Sequence, residues 1–177
     1  MKAIQITAFG GPEVMKYVDL ADPVAGTDEV VLDVTAVGIN YADTHQTENS
    51  YLSPQTLPMI PGIEVVGTHD GKRYLASVSS GGYAQKAIAH KSVLFPIPDA
   101  VTDQQALCML VQGATAWHLL KTMGNLQKGQ SVVVHAAAPC TNMQRACWSV
   151  TASGIGKSTD LWAMAFCAYP PDETLAR

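Results

Sequence analysis

Short apolar runs separated by glycine and proline fill residues 1 to about 100. In the clearest run, 29–37, apolar side chains occupy every second position, at Val30, Leu32, Val34 and Ala36. Alternation with a period of two is typical of a strand with one buried face. Further β-rich runs predict strands at 2–8, 64–68, 73–78 and 83–89. Such close spacing predicts a compact, mostly antiparallel β domain.

A helical pattern follows the β-rich part. Thr102, with Gln105 three places later, forms a capping-box signature ahead of apolar residues at 106, 107 and 110. A helix is therefore predicted to begin there. Gly113 is expected to separate it from a second helix over 114–123, which should end at Gly124 because glycine favours helix C-termini.

The run 131–136 is apolar without alternation, which is typical of a strand buried on both faces of a parallel sheet. We therefore expect an α/β unit to begin there. From Pro139 onward the sequence lacks the glycine-rich turn and amphipathic helix that such a strand should feed. Helical spacing of Leu161, Ala165 and Ala168 leaves two alternatives open for 139–177, a substitute helical cap or an exposed apolar end.

Composition narrows the function classes. The 177 residues are 47% hydrophobic, enough for a core, and carry a net charge of −4 without a Lys/Arg cluster, which argues against nucleic acid as a partner. No apolar stretch approaches the roughly 20 residues of a membrane span. The start reaches Gly10 before a secretory signal could develop, and the four cysteines show no CxxC spacing. We expect a cytoplasmic protein with free thiols.

Several motifs resemble one family when they are taken in order. They are FGGPEV at 9–14, GINYAD at 38–43, LPMIPGIEVVG at 57–67, GGYA at 81–84, IPD at 97–99, QGATA at 112–116 and KGQSVVVHAAA at 128–138. This series resembles the medium-chain dehydrogenase/reductase superfamily, in its zinc-independent NADPH:quinone oxidoreductase branch, to which zeta-crystallin belongs. The resemblance implies an α+β chain: a GroES-like β-rich domain over 1–125, the first strand of a Rossmann domain over 126–138, and an atypical tail over 139–177. We expect a chain truncated early in the Rossmann domain.

The resemblance also bears on metal binding. Zinc-dependent members of the superfamily hold their catalytic zinc through a Cys and a His, because zinc needs sulfur or nitrogen donors. The matching positions here hold Asn40 and Ile63, and no Cys lies between Gly62 and Ala100 to build a structural zinc lobe. His45 and His69 are expected to be solvated loop residues. A zinc-free site is therefore predicted.

The implied activity is hydride transfer from NADPH to a quinone or enone, with hydrogen-bond donors offered to the oxygen that gains charge. The resemblance assigns Asn40, Asp43 and Tyr51 to the catalytic site, and Asn40 and Thr115 to the NADPH contacts. In the alternative interpretation, Asn40 merely holds a left-handed turn and Asp43 caps a helix. The partner implied is a small-molecule quinone or enone, and a homodimer is left open.

One departure from the family weakens the prediction of activity. The family pattern continues the strand into a Gly-Gly-x-Gly turn, whose backbone approaches the NADPH pyrophosphate. This chain has Pro139 and Cys140 instead, and proline removes an amide donor. We expect this turn to be lost and the chain to be inactive alone. The alternative function is a non-catalytic GroES-like binding or interaction domain, or a fragment of a disrupted gene.

Overall fold

The structure is a computed structural model that describes residues 1–50, 54–135, 149–153 and 161–162. The chain divides into two compact units, Met1–Leu110 and Val111–Arg177, and each is described by itself. No helix in the described part of the chain is both long and apolar enough to cross a bilayer.

The first unit is built on an antiparallel five-stranded sheet. Its strands are β3 Glu29–Val37, β4 Glu64–His69, β5 Lys72–Ser77, β6 Lys86–His90 and β7 Leu94–Pro96, in the spatial order β6-β3-β4-β5-β7. A separate antiparallel pair joins β1 Lys2–Gln5 to β2 Lys16–Asp19. The predicted strands and their antiparallel arrangement are confirmed, with ends that differ by up to three residues. β2 and β7 carry too few buried residues for alternation to reveal them.

A β-bulge interrupts β3 where it pairs with β4. The register shifts between Val34 and Ala36. Val34 packs against the buried cluster that contains Leu32, whereas Ala36 packs against the cluster on the other side, which contains Leu107. An extra residue in one strand reverses the face on which the following side chains lie. The expectation that Ala36 shares the face of Val34 is therefore wrong.

The first helix after the sheet begins as predicted. It is α2, Asp103–Cys108, with a complete capping box: the Gln105 backbone N–H donates to Thr102 Oγ1 at 3.2 Å, and the Thr102 N–H donates to Gln105 Oε1 at 3.0 Å. Its buried residues pack against β4 and β5 through Val66 and Leu75. Arg73 on β5 donates to Asp103 Oδ1 at 2.7 Å and so ties the helix start to the sheet.

The helical segment does not break at Gly113. Met109–Gly113 is π-helical, Gly113 has φ −63° and ψ −45°, and α3 follows directly at Ala114–Trp117. A glycine inside a helix costs only about 1 kcal/mol, which does not by itself end the helix. A second π-helical stretch, His118–Met123, ends at Gly124, and this end is the predicted one.

The described strands of the second unit form a three-stranded sheet in the order β10-β9-β8. The strand predicted at 131–136 is present as β8, Ser131–His135. Its neighbour among the described residues is β9, Ser149–Ser153, and the pairing is antiparallel, not the parallel pairing that its apolar run indicated. Leu161 lies in β10, Leu161–Trp162, so the alternative of a helical cap does not hold at Leu161. Pro139 and Cys140, where the glycine-rich turn of the family was expected to be lost, lie outside the described residues.

Candidate functional site

The start of α1, Tyr41–Thr47, organises the candidate site. Asn40 is its N-cap residue, with extended dihedral angles of φ −117° and ψ 149°, so the interpretation as a left-handed turn is wrong. Asp43 caps the start of the helix, because its Oδ2 accepts a hydrogen bond from the Asn40 backbone N–H at 2.8 Å. In return, the Asp43 N–H faces the Asn40 side chain as in a capping box, but its 3.0 Å hydrogen bond is to the Asn40 backbone carbonyl. The capping contact of the alternative interpretation is thus present.

A hydrogen-bonded network of four side chains surrounds this helix start. Asn40 Nδ2 donates to Glu64 Oε1 at 2.9 Å, and the Tyr83 hydroxyl donates to Asp43 Oδ2 at 2.7 Å. Asn40, Asp43 and Glu64 are exposed by 1%, 4% and 0%. Asn40 links the two side-chain contacts, because its side chain donates to Glu64 and its backbone N–H donates to Asp43. The order of the network is therefore Glu64, Asn40, Asp43, Tyr83. It connects β4, α1 and the loop before β6.

Sequence reasoning missed Glu64 and Tyr83 as site residues, although both lie in quoted motifs. A signal for Glu64 was available. It is a charged residue between Ile63 and Val65 in an otherwise apolar run, and charged residues are almost never fully buried unless they are paired. Tyr83 gave no comparable signal, because a tyrosine that follows two glycines is typical of many turns.

Two glycines make room for the network. A Cβ at Gly38 would overlap the side chain of Glu64. A Cβ at Gly62 would lie 2.5 Å from Tyr83 Cδ1, and Gly62 also has φ +97°, a conformation that favours glycine. Both glycines therefore allow close approach: the first by Glu64, the second by Tyr83.

Burial sets the electrostatics of the Asp43–Tyr83 pair. Burial raises the pKa of Asp43, against the opposing effect of the hydrogen bonds from Asn40 and Tyr83. The pKa of Tyr83 is also raised, first by burial and then by the charge of Asp43. Tyr83 therefore keeps its proton at neutral pH and acts as the hydrogen-bond donor of the pair.

Three buried oxygens along α1 have no hydrogen-bond partner among the described residues: Asn40 Oδ1, Asp43 Oδ1 and Gln46 Oε1. Asp43 and Gln46 are three residues apart in α1 and so lie at neighbouring positions on the helix, and Asn40 is the residue that caps it. A buried acceptor without a partner costs about 1–3 kcal/mol. Each of these atoms can be satisfied only by a donor, so the site has unused capacity for hydroxyl or N–H groups.

Four further residues were singled out from the sequence: Thr115, Tyr51, His45 and His69. Thr115 belongs to α3 in the second unit, where its hydroxyl donates to the Val111 carbonyl one turn earlier. Tyr51 lies outside the described residues. His45 Nδ1 is 2.8 Å from Ser50 Oγ, and His69 Nδ1 is 3.1 Å from the Val31 carbonyl. Within the described ranges, no group of three His, Cys, Asp or Glu residues could hold a metal ion.

A groove of about 420 Å³ borders the network on its Tyr83 side. Most of its lining is apolar, from Ile4, Val34, Val37 and Ile39, together with the Tyr83 ring. Ile39 is 61% exposed although it directly precedes the buried Asn40. Tyr83 therefore presents its ring to the groove and its hydroxyl to Asp43.

The fold is that of an alcohol-dehydrogenase-type GroES-like domain. Residues 26–71 match the family model described as the alcohol dehydrogenase GroES-like domain. The quinone oxidoreductase of Lama guanicoe is 31% identical over 169 residues, which are 85% of this chain and 51% of that protein. The quinone oxidoreductase of Mus musculus is 32% identical over 151 residues, 78% of this chain and 46% of that protein.

Solved structures agree with these relatives. The quinone oxidoreductase of Thermus thermophilus, which was also solved in complex with NADPH, is 39% identical, with a TM-score of 0.68 over 73% of this chain and 42% of that chain. The chain belongs to the medium-chain dehydrogenase/reductase superfamily, as a quinone-oxidoreductase-like protein. It spans about half the length of the curated relatives it matches.

Proposed function

We propose that this chain supplies the substrate-side domain of an NADPH-dependent reductase that transfers hydride to a quinone or enone without zinc. The observation that carries the proposal is the Asn40–Glu64 hydrogen bond at 2.9 Å. Asn40 stands where zinc-dependent members of the superfamily have a cysteine ligand, and its amide is engaged by a buried carboxylate. The second ligand position holds Ile63, a hydrocarbon side chain, whereas zinc requires sulfur, nitrogen or carboxylate donors.

The residues of this chain have distinct parts in the proposed reaction. NADPH, when bound, supplies the hydride. Asp43 and Tyr83 hold the first turn of α1 in place, and this fixes the position of Asn40. We assign Asn40, Asp43 and Tyr51 to the catalytic site, and Asn40 and Thr115 to the cofactor contacts, on the strength of the family resemblance.

The cofactor, the substrate class and the location belong to the same proposal. NADPH is supported by the relatives solved with it, and a quinone substrate by the names of the relatives. A cytoplasmic location is supported by Cys108, an exposed free thiol in the described part of the chain. The homodimer and the domain ranges 1–125, 126–138 and 139–177 stay predictions.

The test is NADPH binding to the 177-residue chain, followed by cofactor fluorescence with NADH as the control. Saturable binding in the micromolar range, with NADPH-dependent reduction of benzoquinone that falls in Asn40→Leu and Tyr51→Phe variants, supports the proposal. The matched control is Gln104→Leu, which removes an exposed side-chain amide from α2. A chain that leaves millimolar NADPH unbound is a folded GroES-like domain that is catalytically inactive alone, as the departure from the family pattern at Pro139 predicts.

A further inference from the structure

We infer that Glu64 is a positioning residue that turns the amide of Asn40 so that its oxygen, not its nitrogen, is the atom left for a ligand. The site therefore takes a hydrogen-bond donor, a hydroxyl or N–H group, at this point. The inference rests on the proposed function, because it names the ligand group that the same site selects.

The first step is the chemistry of the Asn40–Glu64 contact. The oxygen and nitrogen of a side-chain amide are nearly identical in shape, so the surrounding hydrogen bonds decide which way the group points. In its ionised form, the Glu64 carboxylate accepts hydrogen bonds and donates none. With Nδ2 turned away, Asn40 Oδ1 would face Glu64 Oε1 at a separation near 2.9 Å, and the two oxygens would repel. Glu64 therefore holds the amide in one orientation.

The second step is the rigidity of Glu64. Its side chain is fully buried at the start of β4, and its backbone pairs with Ser77 of β5. The Gly38 N–H donates to the Glu64 carbonyl at 3.1 Å, and the missing Cβ of Gly38 leaves the space that the carboxylate fills. The orientation of the Asn40 amide is thus fixed from the sheet.

The third step is what remains for a ligand. Asn40 Oδ1 and Asp43 Oδ1 are both buried without a partner among the described residues, while Asp43 Oδ2 already accepts from Asn40 and Tyr83. Both acceptors belong to the capped start of α1, Asn40 as its N-cap residue and Asp43 in its first turn. The oxygen of a ligand carbonyl would be repelled by these two oxygens, because none of the three carries a proton. A ligand hydroxyl would instead donate a hydrogen bond to an acceptor whose burial without a partner costs stability.

This result changes the role expected for Asn40. The implied reaction needs a hydrogen-bond donor to the oxygen that gains charge, but the Asn40 amide nitrogen is committed to Glu64. Among the molecules of the proposed reaction, a hydroquinone carries hydroxyl donors and a quinone carries only acceptors. The ribose hydroxyls of NADPH are the second source of the same chemistry.

The test compares matched probes on the full chain by NMR titration of the side-chain amide signals. One pair is hydroquinone and 1,4-dimethoxybenzene, and the other is nicotinamide riboside and its 2′,3′-di-O-methyl derivative. In one pair, we expect the probe with free hydroxyl groups to bind at least about ten-fold more tightly than its methylated partner. That pair shows whether the hydroxyl group comes from the hydroquinone or from the ribose. If the unaltered chain binds both members of each probe pair equally well, the inference is overturned, whatever the variants show.

A Glu64→Gln variant tests the positioning role. A glutamine can donate or accept, so the Asn40 amide can then adopt either orientation. We expect the preference for the hydroxyl probe to fall below about three-fold, and the Asn40 amide signals to move. An unchanged preference in folded Glu64→Gln overturns the inference. Gln104→Leu is the control. Turnover with NADPH but without the hydroxyl preference refutes this inference alone, whereas the preference without turnover refutes only the proposed function.

Discussion

The hydroxyl of Tyr83 donates a 2.7 Å hydrogen bond to Oδ2 of Asp43, forty positions earlier in the chain. The contact joins the loop before β6 to the first turn of α1. It also completes the set of donors around Oδ2, because the other donor is the backbone N–H of Asn40. The stability of the site therefore depends on residues that are distant in sequence.

Replacing Tyr83 by Phe removes that donor and leaves the ring in the groove wall. We expect the free energy of unfolding to fall by about 1.5–3 kcal/mol, the range for hydrogen bonds to charged groups. Urea denaturation measures it. Tyr17→Phe is the matched control, because Tyr17 lines the same groove but is 70% exposed. Equal losses in both variants would contradict the role given to the Tyr83 hydroxyl.

The Asp43 carboxyl should leave a signature in the pH dependence of stability. Burial raises its pKa in the folded state above the ordinary value of 3.8, so the folded chain holds this proton more tightly than the unfolded chain does. Its contribution is greatest below pH 3.8 and declines as the pH rises toward the folded pKa. We expect the unfolding free energy of the unaltered chain, relative to Asp43→Asn, to decrease across that window. A relative stability that rises with pH there would show that the pKa is lowered instead.

Gly38→Ala tests the space that Glu64 occupies. The new methyl group would overlap the Glu64 side chain, and overpacking of this kind costs about 1–3 kcal/mol. Thermal unfolding followed by circular dichroism gives the change. Gly26→Ala is the control, because the Cβ there meets only the flexible end of Glu29. If alanine is tolerated equally at both positions, Glu64 has room to move and does not fix Asn40.

Arg73 should matter more than an ordinary surface cation. It donates to Asp103 at 2.7 Å and to the carbonyls of Val101 and Pro98 at 2.8 and 3.2 Å, so one guanidinium fixes the start of α2. We expect Arg73→Met to lower the free energy of unfolding by about 1–3 kcal/mol. Lys2→Met, which breaks the exposed pair with Asp19, should cost less. Urea denaturation at low and high salt compares the two variants. Equal losses of unfolding free energy would show that Arg73 contributes no more than an exposed surface charge.

Local patterns predicted much of the fold. Alternation located β3, and the Thr102–Gln105 spacing located the start of α2, because both signals arise from neighbours in sequence. The bulge that moves Ala36 to the other face escaped, since register depends on the pairing with β4. Gly113 misled because helix propensity is a weak local preference, and the backbone around it stays helical.

Only part of the hydrogen-bonded network could be anticipated from the sequence. Asn40 and Asp43 were identified through a motif within a few residues, and the structure brings them together at the start of α1. Glu64 and Tyr83 join them over 24 and 40 positions. No periodicity encodes such pairings, because they depend on how β4 and the loop before β6 meet the helix.

The bulge in β3 has a practical meaning for anyone who builds chimaeras between this chain and its relatives. Removing one residue from 34–36 would restore unbroken alternation, but it would rotate the end of the strand and aim Gly38 and Asn40 away from Glu64. In such chimaeras, residues 34–64 should therefore all come from the same parent protein. A crossover point inside that range would separate the carboxylate from the amide that it orients.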